Sequence, residues 1–196
     1  MGKKEQIIKE SIQLFSEYGY EATSMTKIAE QVNIKKPSLY AHFKNKDAIF
    51  YSAVKQVTEE YVDFVLKTID QKKGQSSKDT LYNVLHQAYT NEYQLEFLGE
   101  FFYRFVLFTP YEVEAQIKPL IKKSEEQLES ALIKIVELGQ SNQEIDPTLP
   151  SRVVLKNYLF IFYNLDVDVR YYSLRDSELD QYLNDIWSVF WRGVKN

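Results

Sequence analysis

Apolar residues recur along this chain at spacings of three and four, and no stretch sustains the period-two alternation of a strand. Ile8, Ile12 and Phe15 fall at i, i+4 and i+7, and Gly19 follows where a left-handed C-cap belongs, so a first helix is predicted to end near Tyr18. Ser24 can cap a short helix whose inner face is Met25, Ile28 and Val32. Asn33 ends that helix, because asparagine tolerates the left-handed backbone of a tight turn, and Ile34 can plug the angle behind it. A second short helix is predicted from Pro37, whose missing amide hydrogen costs nothing at a first helical position. Over residues 46–71, Phe50, Val54, Val57, Tyr61 and Phe64 keep one face, and Gly74, Ser76 and Ser77 close a long helix. Further helices are expected over 78–90, 94–108, 113–138, 151–172 and 177–192, punctuated by Pro110, Gly139, Pro147, Pro150 and a Ser177-x-x-Asp180 capping signal. The predicted fold class is all-α.

Composition narrows the chemistry. The 196 residues are 44% hydrophobic and 15% aromatic, enough for a packed core. There is no cysteine, which removes disulfides, thiolate metal sites and thiol nucleophiles together and fits a reducing compartment. The N-terminal Met1-Gly2-Lys3-Lys4 runs directly into an amphipathic pattern without the apolar run of a secretory signal, and the most apolar stretch, 153–165, is too short for a membrane span and is broken by Lys156 and Asn157. A cytoplasmic location without membrane attachment is expected. With no HExxH, no glycine-rich phosphate loop and only His42 and His86 as histidines, the sequence offers an enzyme little to work with, and it implies neither metal nor cofactor.

The net charge of −4 divides unevenly. Residues 1–55 hold nine lysines against six carboxylates, a surplus of three positive charges, whereas residues 56–196 hold fifteen basic against twenty-two acidic groups, a surplus of seven negative ones. A basic N-terminal surface suits a phosphate backbone, and an acidic body discourages nonspecific adhesion.

The span from Thr23 to Lys46 carries the function. At 100° per residue the helix from Pro37 turns Leu39 and Phe43 inward, presents Pro37, Ser38 and Ala41 outward, and places Tyr40 and His42 on the flanks. Small outward residues let the backbone approach base edges in a major groove while larger polar groups reach phosphates on either side. Lys36 is placed to reach a guanine edge, and Lys46, opening the next helix, to meet a phosphate. Lys46→Ala is therefore expected to weaken binding to all DNA and Lys36→Ala to relax sequence preference.

Gly19-Tyr20, Thr23-Ser24, Ile28-Ala29, Leu39-Tyr40 and His42-Phe43-Lys44-Asn45-Lys46, spread at fixed spacing over residues 8–55, resemble the tetracycline-repressor (TetR) family of bacterial transcriptional regulators. Asn33 departs from the glycine usual in that family. The resemblance implies that Thr26, Tyr40, His42 and Lys46 hold phosphates and that Lys36, Pro37 and Ser38 face bases, with Ser24 beside them at the helix start. It further implies a three-helix DNA-binding domain over residues 1–50, joined by a long helix to an effector-binding and dimerisation domain over residues 51–196. The implied partners are a palindromic operator in double-stranded DNA, a second copy of the chain and a small-molecule effector, with repression as the usual mode.

In the C-terminal part, Leu179, Leu183, Ile186 and Phe190 share a face with Trp187 and Trp191 beside it, a stripe wide enough for a core and a dimer partner. Phe97, Phe101, Phe102, Tyr103, Phe105, Phe108 and Tyr111 form one aromatic stretch, and Tyr158, Phe160, Phe162 and Tyr163 a second. Phe101, Arg104, Phe105, Phe108, Tyr158 and Phe162 are the candidates to line a pocket for an apolar or aromatic effector, against plain core packing, the ordinary role of any single one of these rings. Asn157, Asn164 and Asp166 are polar groups within these runs that can orient a ligand or pair at an interface. The alternatives are a helical protein-interaction module and a regulator with no effector site.

Overall fold

A computed structural model describes residues 2–72, 74–90, 101, 104, 105 and 108–196, the side chain of Asp166 excepted. The helix expected over 94–108, and with it Phe97, Phe102 and Tyr103, lies outside the described residues apart from positions 101, 104, 105 and 108. Eight helices are described: α1 Lys3–Ala22, α2 Met25–Gln31, α3 Lys36–Tyr40, α4 Lys46–Gln71, α5 Ser77–Thr90, α6 Glu114–Ser141, α7 Ser151–Tyr171 and α8 Asp176–Val194. Among the described residues the only extended pairing is an isolated bridge between Ile145 and Lys195.

The chain packs as two compact units, Met1–Tyr61 with Glu96–Ser124, and Val62–Leu95 with Glu125–Asn196. The unit that holds the helix-turn-helix is thus larger than residues 1–50. Phe101 and Phe105 are the reason, since both are buried in its core with Ile7, Phe15, Ile28, Leu39 and Phe50. The Phe50 ring meets Phe15 at 5.0 Å and Phe105 at 4.9 Å, both edge to face, the geometry that the ring quadrupole favours.

Gly19 has φ 82° and breaks α1, but one more turn runs on to Ala22 where the sequence pointed to an end near Tyr18. Thr23, fully buried, holds that turn with its hydroxyl 2.7 Å from the Gly19 carbonyl and 3.2 Å from that of Leu14. Asn45 caps α4 by accepting from the Ala48 amide at 2.9 Å.

In the second unit α5 packs on α8, and the buried Tyr158 of α7 donates its hydroxyl to the Leu81 carbonyl at 2.9 Å. Gly139 does not end α6 as its sequence context suggested. A Cβ there would lie 2.8 Å from Ile145 Cδ1 and 2.9 Å from Ser77 Cβ, so glycine serves close packing rather than termination. The Ser177 capping signal also fails to form: the N-cap of α8 is Arg175, and Asp180 instead lies 2.9 Å from His86 Nε2 on α5.

Candidate nucleic-acid interface

The turn between α2 and α3 is built from local bonds. Ser24 accepts from the Lys27 amide at 3.1 Å and starts α2. Asn33 adopts φ 55°, its amide donates to the Glu30 carbonyl at 3.0 Å, and the Ile34 amide reaches back to Ala29 at 2.9 Å. These two bonds are a Schellman closure, and Ile34 packs against the core as the plug its position predicts.

Pro37 lies in the first turn of α3, and fully buried Leu39 with Phe43 just beyond fixes the helix from beneath. The opposite side is open. Ser24, Thr26, Lys36, Pro37, Ser38, Tyr40 and His42 are all exposed, so the structure brings seven of the eight predicted DNA-facing residues to the surface on the α2–α3 segment.

Lys46 is the eighth and differs. It is half-buried, its ammonium donates to the Tyr20 carbonyl at 2.8 Å and it stands 3.9 Å from the centroid of the Tyr20 ring. The Tyr20 hydroxyl in turn donates to Asp47 at 2.6 Å. Burial, followed by this bond to a carboxylate, raises the phenol's pKa well above its ordinary value, so the hydroxyl stays a donor. Lys46 thereby ties α4 to the end of α1.

Sequence reasoning missed two lysines. Lys27 lies 3.9 Å over the Tyr18 ring, and Lys4 lies 5.4 Å over that of Phe43. Neither carries a local motif, and only the folded packing of α1 reveals them.

Each of the six residues put forward for an effector pocket is described within its own unit. Phe101 and Phe105 complete the core of the first unit. Arg104 donates to the Ser16 carbonyl at 2.5 Å, with its guanidinium against Gly19. Phe108 is 71% exposed and lies on the surface rather than in an enclosed lining. Tyr158 and Phe162 are buried in the second unit with their rings 5.9 Å apart. Of the predicted dimer stripe, Leu179, Leu183, Trp187 and Phe190 are buried within the chain's own core and Ile186 is half-buried, with α8 packed on α5. The open apolar face belongs to α7, where Val153, Phe160, Val167 and Tyr171 are exposed along one line.

Residues 7–53 match the family of bacterial regulatory proteins of the tetR family. Over this helix-turn-helix segment the chain is similar to the TetR family. It is 42% identical over 82 residues to the biofilm operon icaADBC HTH-type negative transcriptional regulator IcaR of Staphylococcus epidermidis, a match covering 42% of this chain and 43% of that protein. The alignment thus spans less than half the length of this curated relative. The fold agrees over nearly the whole chain with the transcriptional regulator FadR from Bacillus subtilis in complex with stearoyl-CoA, at TM-score 0.72, 19% identity and coverage of 94% of this chain and 96% of that one. It agrees likewise with AibR in complex with isovaleryl coenzyme A and operator DNA, at TM-score 0.68, 16% identity and coverage of 96% and 97%. At such identities the likeness to these TetR-type folds is one of architecture.

No helix among the described residues is long and apolar enough to cross a membrane, and no group of three or more His, Cys, Asp or Glu is arranged to hold a metal there.

Proposed function

We propose that this chain is a homodimeric DNA-binding transcriptional repressor that leaves a palindromic operator when a small apolar or aromatic effector binds. The observation that carries the proposal is α3 itself: a short helix anchored by Leu39 and Phe43, with Lys36, Pro37, Ser38, Tyr40 and His42 exposed. Small residues at its start admit the backbone to a groove, and a surplus of lysine in the first 55 residues supplies attraction to phosphate.

Dimerisation is assigned to α7 and α8, with the contact moved from the residues first considered to Val153, Phe160, Val167 and Tyr171 of α7 and exposed Val189 of α8. Steps of seven residues from Val153 to Phe160 and Val167 drift by only about 20° each, and the step of four to Tyr171 turns back by about 40°, so the four α7 residues form one stripe, and a two-fold axis through it would cover the same patch on both copies. The stearoyl-CoA of FadR and the isovaleryl coenzyme A of AibR support an effector with an apolar portion. Whatever its identity, it must bind the operator-competent and operator-released dimers with different affinity.

The test is a mobility-shift titration of purified protein against the DNA flanking its own coding region, repeated with a palindrome selected from a random pool. Binding with half-sites about 34–36 Å apart, or a multiple of that spacing, is expected. Equal affinity for every duplex at moderate salt would sink the proposal.

A further inference from the structure

Lys4 stands beside the helix-turn-helix although it belongs to the first turn of α1. Its ammonium lies 5.4 Å from the centroid of the Phe43 ring, and Phe43 is the buried anchor at the end of α3, between exposed His42 and Lys44. Consecutive Cα atoms are about 3.8 Å apart, so a charge held over Phe43 is held alongside the His42 to Lys44 turn. The acids near Lys4 are engaged elsewhere: Glu5 accepts from the Gly2 amide at 2.8 Å, and Glu10 accepts from Gln31 at 3.0 Å. Lys3 is turned to Gln6 at 2.9 Å. Lys4 itself is exposed and meets no carboxylate among the described residues.

We propose that Lys4 extends the DNA interface beyond the helix-turn-helix, as a sequence-independent contact to the phosphate backbone flanking α3. The inference rests on the assignment of α3 to a DNA groove. Phosphates line both sides of that groove, so an unpaired ammonium fixed at the end of the inserted helix faces anions whatever the bases are. The Phe43 ring supplies what a free surface lysine lacks, a partner that holds the charge in place. Lysine binds phosphate as a point charge, so the contact adds affinity and salt dependence without adding sequence preference.

The experiment compares the full-length wild type with Lys4→Gln, Lys4→Arg and the control Lys67→Gln, an exposed lysine of the other unit. Affinity for a palindromic duplex selected by the wild type is measured by fluorescence anisotropy between about 50 and 200 mM salt. For Lys4→Gln the slope of log K against log salt is expected to fall by about 0.9 for each chain bound, with the ranking of mismatched duplexes unchanged. Lys4→Arg should restore the slope and Lys67→Gln should leave it alone. An unchanged slope for Lys4→Gln overturns the inference, and does so even if its melting temperature falls, since that pairing would make Lys4 a mere prop for Phe43. A wild type with no salt-dependent binding to any duplex would instead remove the DNA assignment beneath it.

Discussion

Tyr158 carries a phenol into the interior of the second unit, where it is 1% exposed and its hydroxyl donates to the Leu81 carbonyl at 2.9 Å. Burial raises its pKa well above the ordinary tyrosine value, and neighbouring Tyr89 and Tyr163 add to the rise. The consequence for stability follows from linkage. A group whose folded pKa lies above its unfolded pKa contributes fully below the unfolded value, about 10 for tyrosine, and loses that contribution as pH rises beyond it. Tyr158→Phe should therefore cost about 1 kcal/mol at pH 7, where only the hydrogen bond is lost. Above about pH 10 the wild type alone must keep a phenol from ionising, so the difference should shrink and then reverse. Urea melts across pH 7 to about 11 check it, and a penalty constant with pH would contradict the account. Lys46 shows the same coupling of roles at the proposed interface. Its ammonium is already bonded to the Tyr20 carbonyl, so any phosphate contact it makes is built on a joint that also holds α1 to α4.

At the scale of elements, helix interiors were legible and helix ends only partly so. The apolar spacing of α4 and α5 locates both to within a residue, because periodicity is written in every turn. Ends depend on one or two residues whose alternatives lie elsewhere in the fold. Gly139 and Asp180 look like punctuation, but Ile145 with Ser77 and His86 are what they meet, and Ser77 and His86 are both far away in sequence. The exposed residues of the α2–α3 segment were legible because their surroundings are local, whereas Lys4, Lys27 and the burial of the α8 stripe required tertiary packing. Three helices close through non-glycine residues in the left-handed region: α2 at Asn33, α6 at Gln143 with φ 60° and α7 at Ser173 with φ 54°. The last two repeat the Schellman bonds, Glu144 to Gly139 at 2.8 Å and Leu174 to Val169 at 3.0 Å. An L-residue pays roughly 1–2 kcal/mol in that conformation, partly offset in glycine by its greater unfolded freedom. Gln143→Gly and Ser173→Gly should each stabilise the protein by about 0.5–1 kcal/mol in thermal or urea melts. Asn33→Gly should gain less, since asparagine tolerates the left-handed region.

At the scale of the whole molecule, a dimer and a palindrome require each other. A single α3 reads one half-site, and two chains on a two-fold axis multiply that affinity through effective concentration, by about 10²–10⁴. In the proposed dimer, the burial of Leu179, Leu183, Trp187 and Phe190 leaves α7 to supply the partner face. Along its open stripe, Asn157 and Asn164 interrupt the apolar residues and bond back to Val153 at 2.9 Å and Phe160 at 2.7 Å, so neither amide nitrogen projects as a fully unsatisfied donor. Phe160, 70% exposed, is the largest apolar side chain near the centre of that line. Phe160→Glu places like charges opposite each other across the two-fold axis while leaving the chain's own core untouched. It should convert the protein to monomers in sedimentation at micromolar concentration, with helical circular dichroism retained. Affinity for the palindrome should fall by about 10²–10⁴-fold towards that for an isolated half-site, and affinity for the half-site itself should be unchanged. A Phe160→Glu protein that remained dimeric and kept its palindrome affinity would place the two-fold axis on another face.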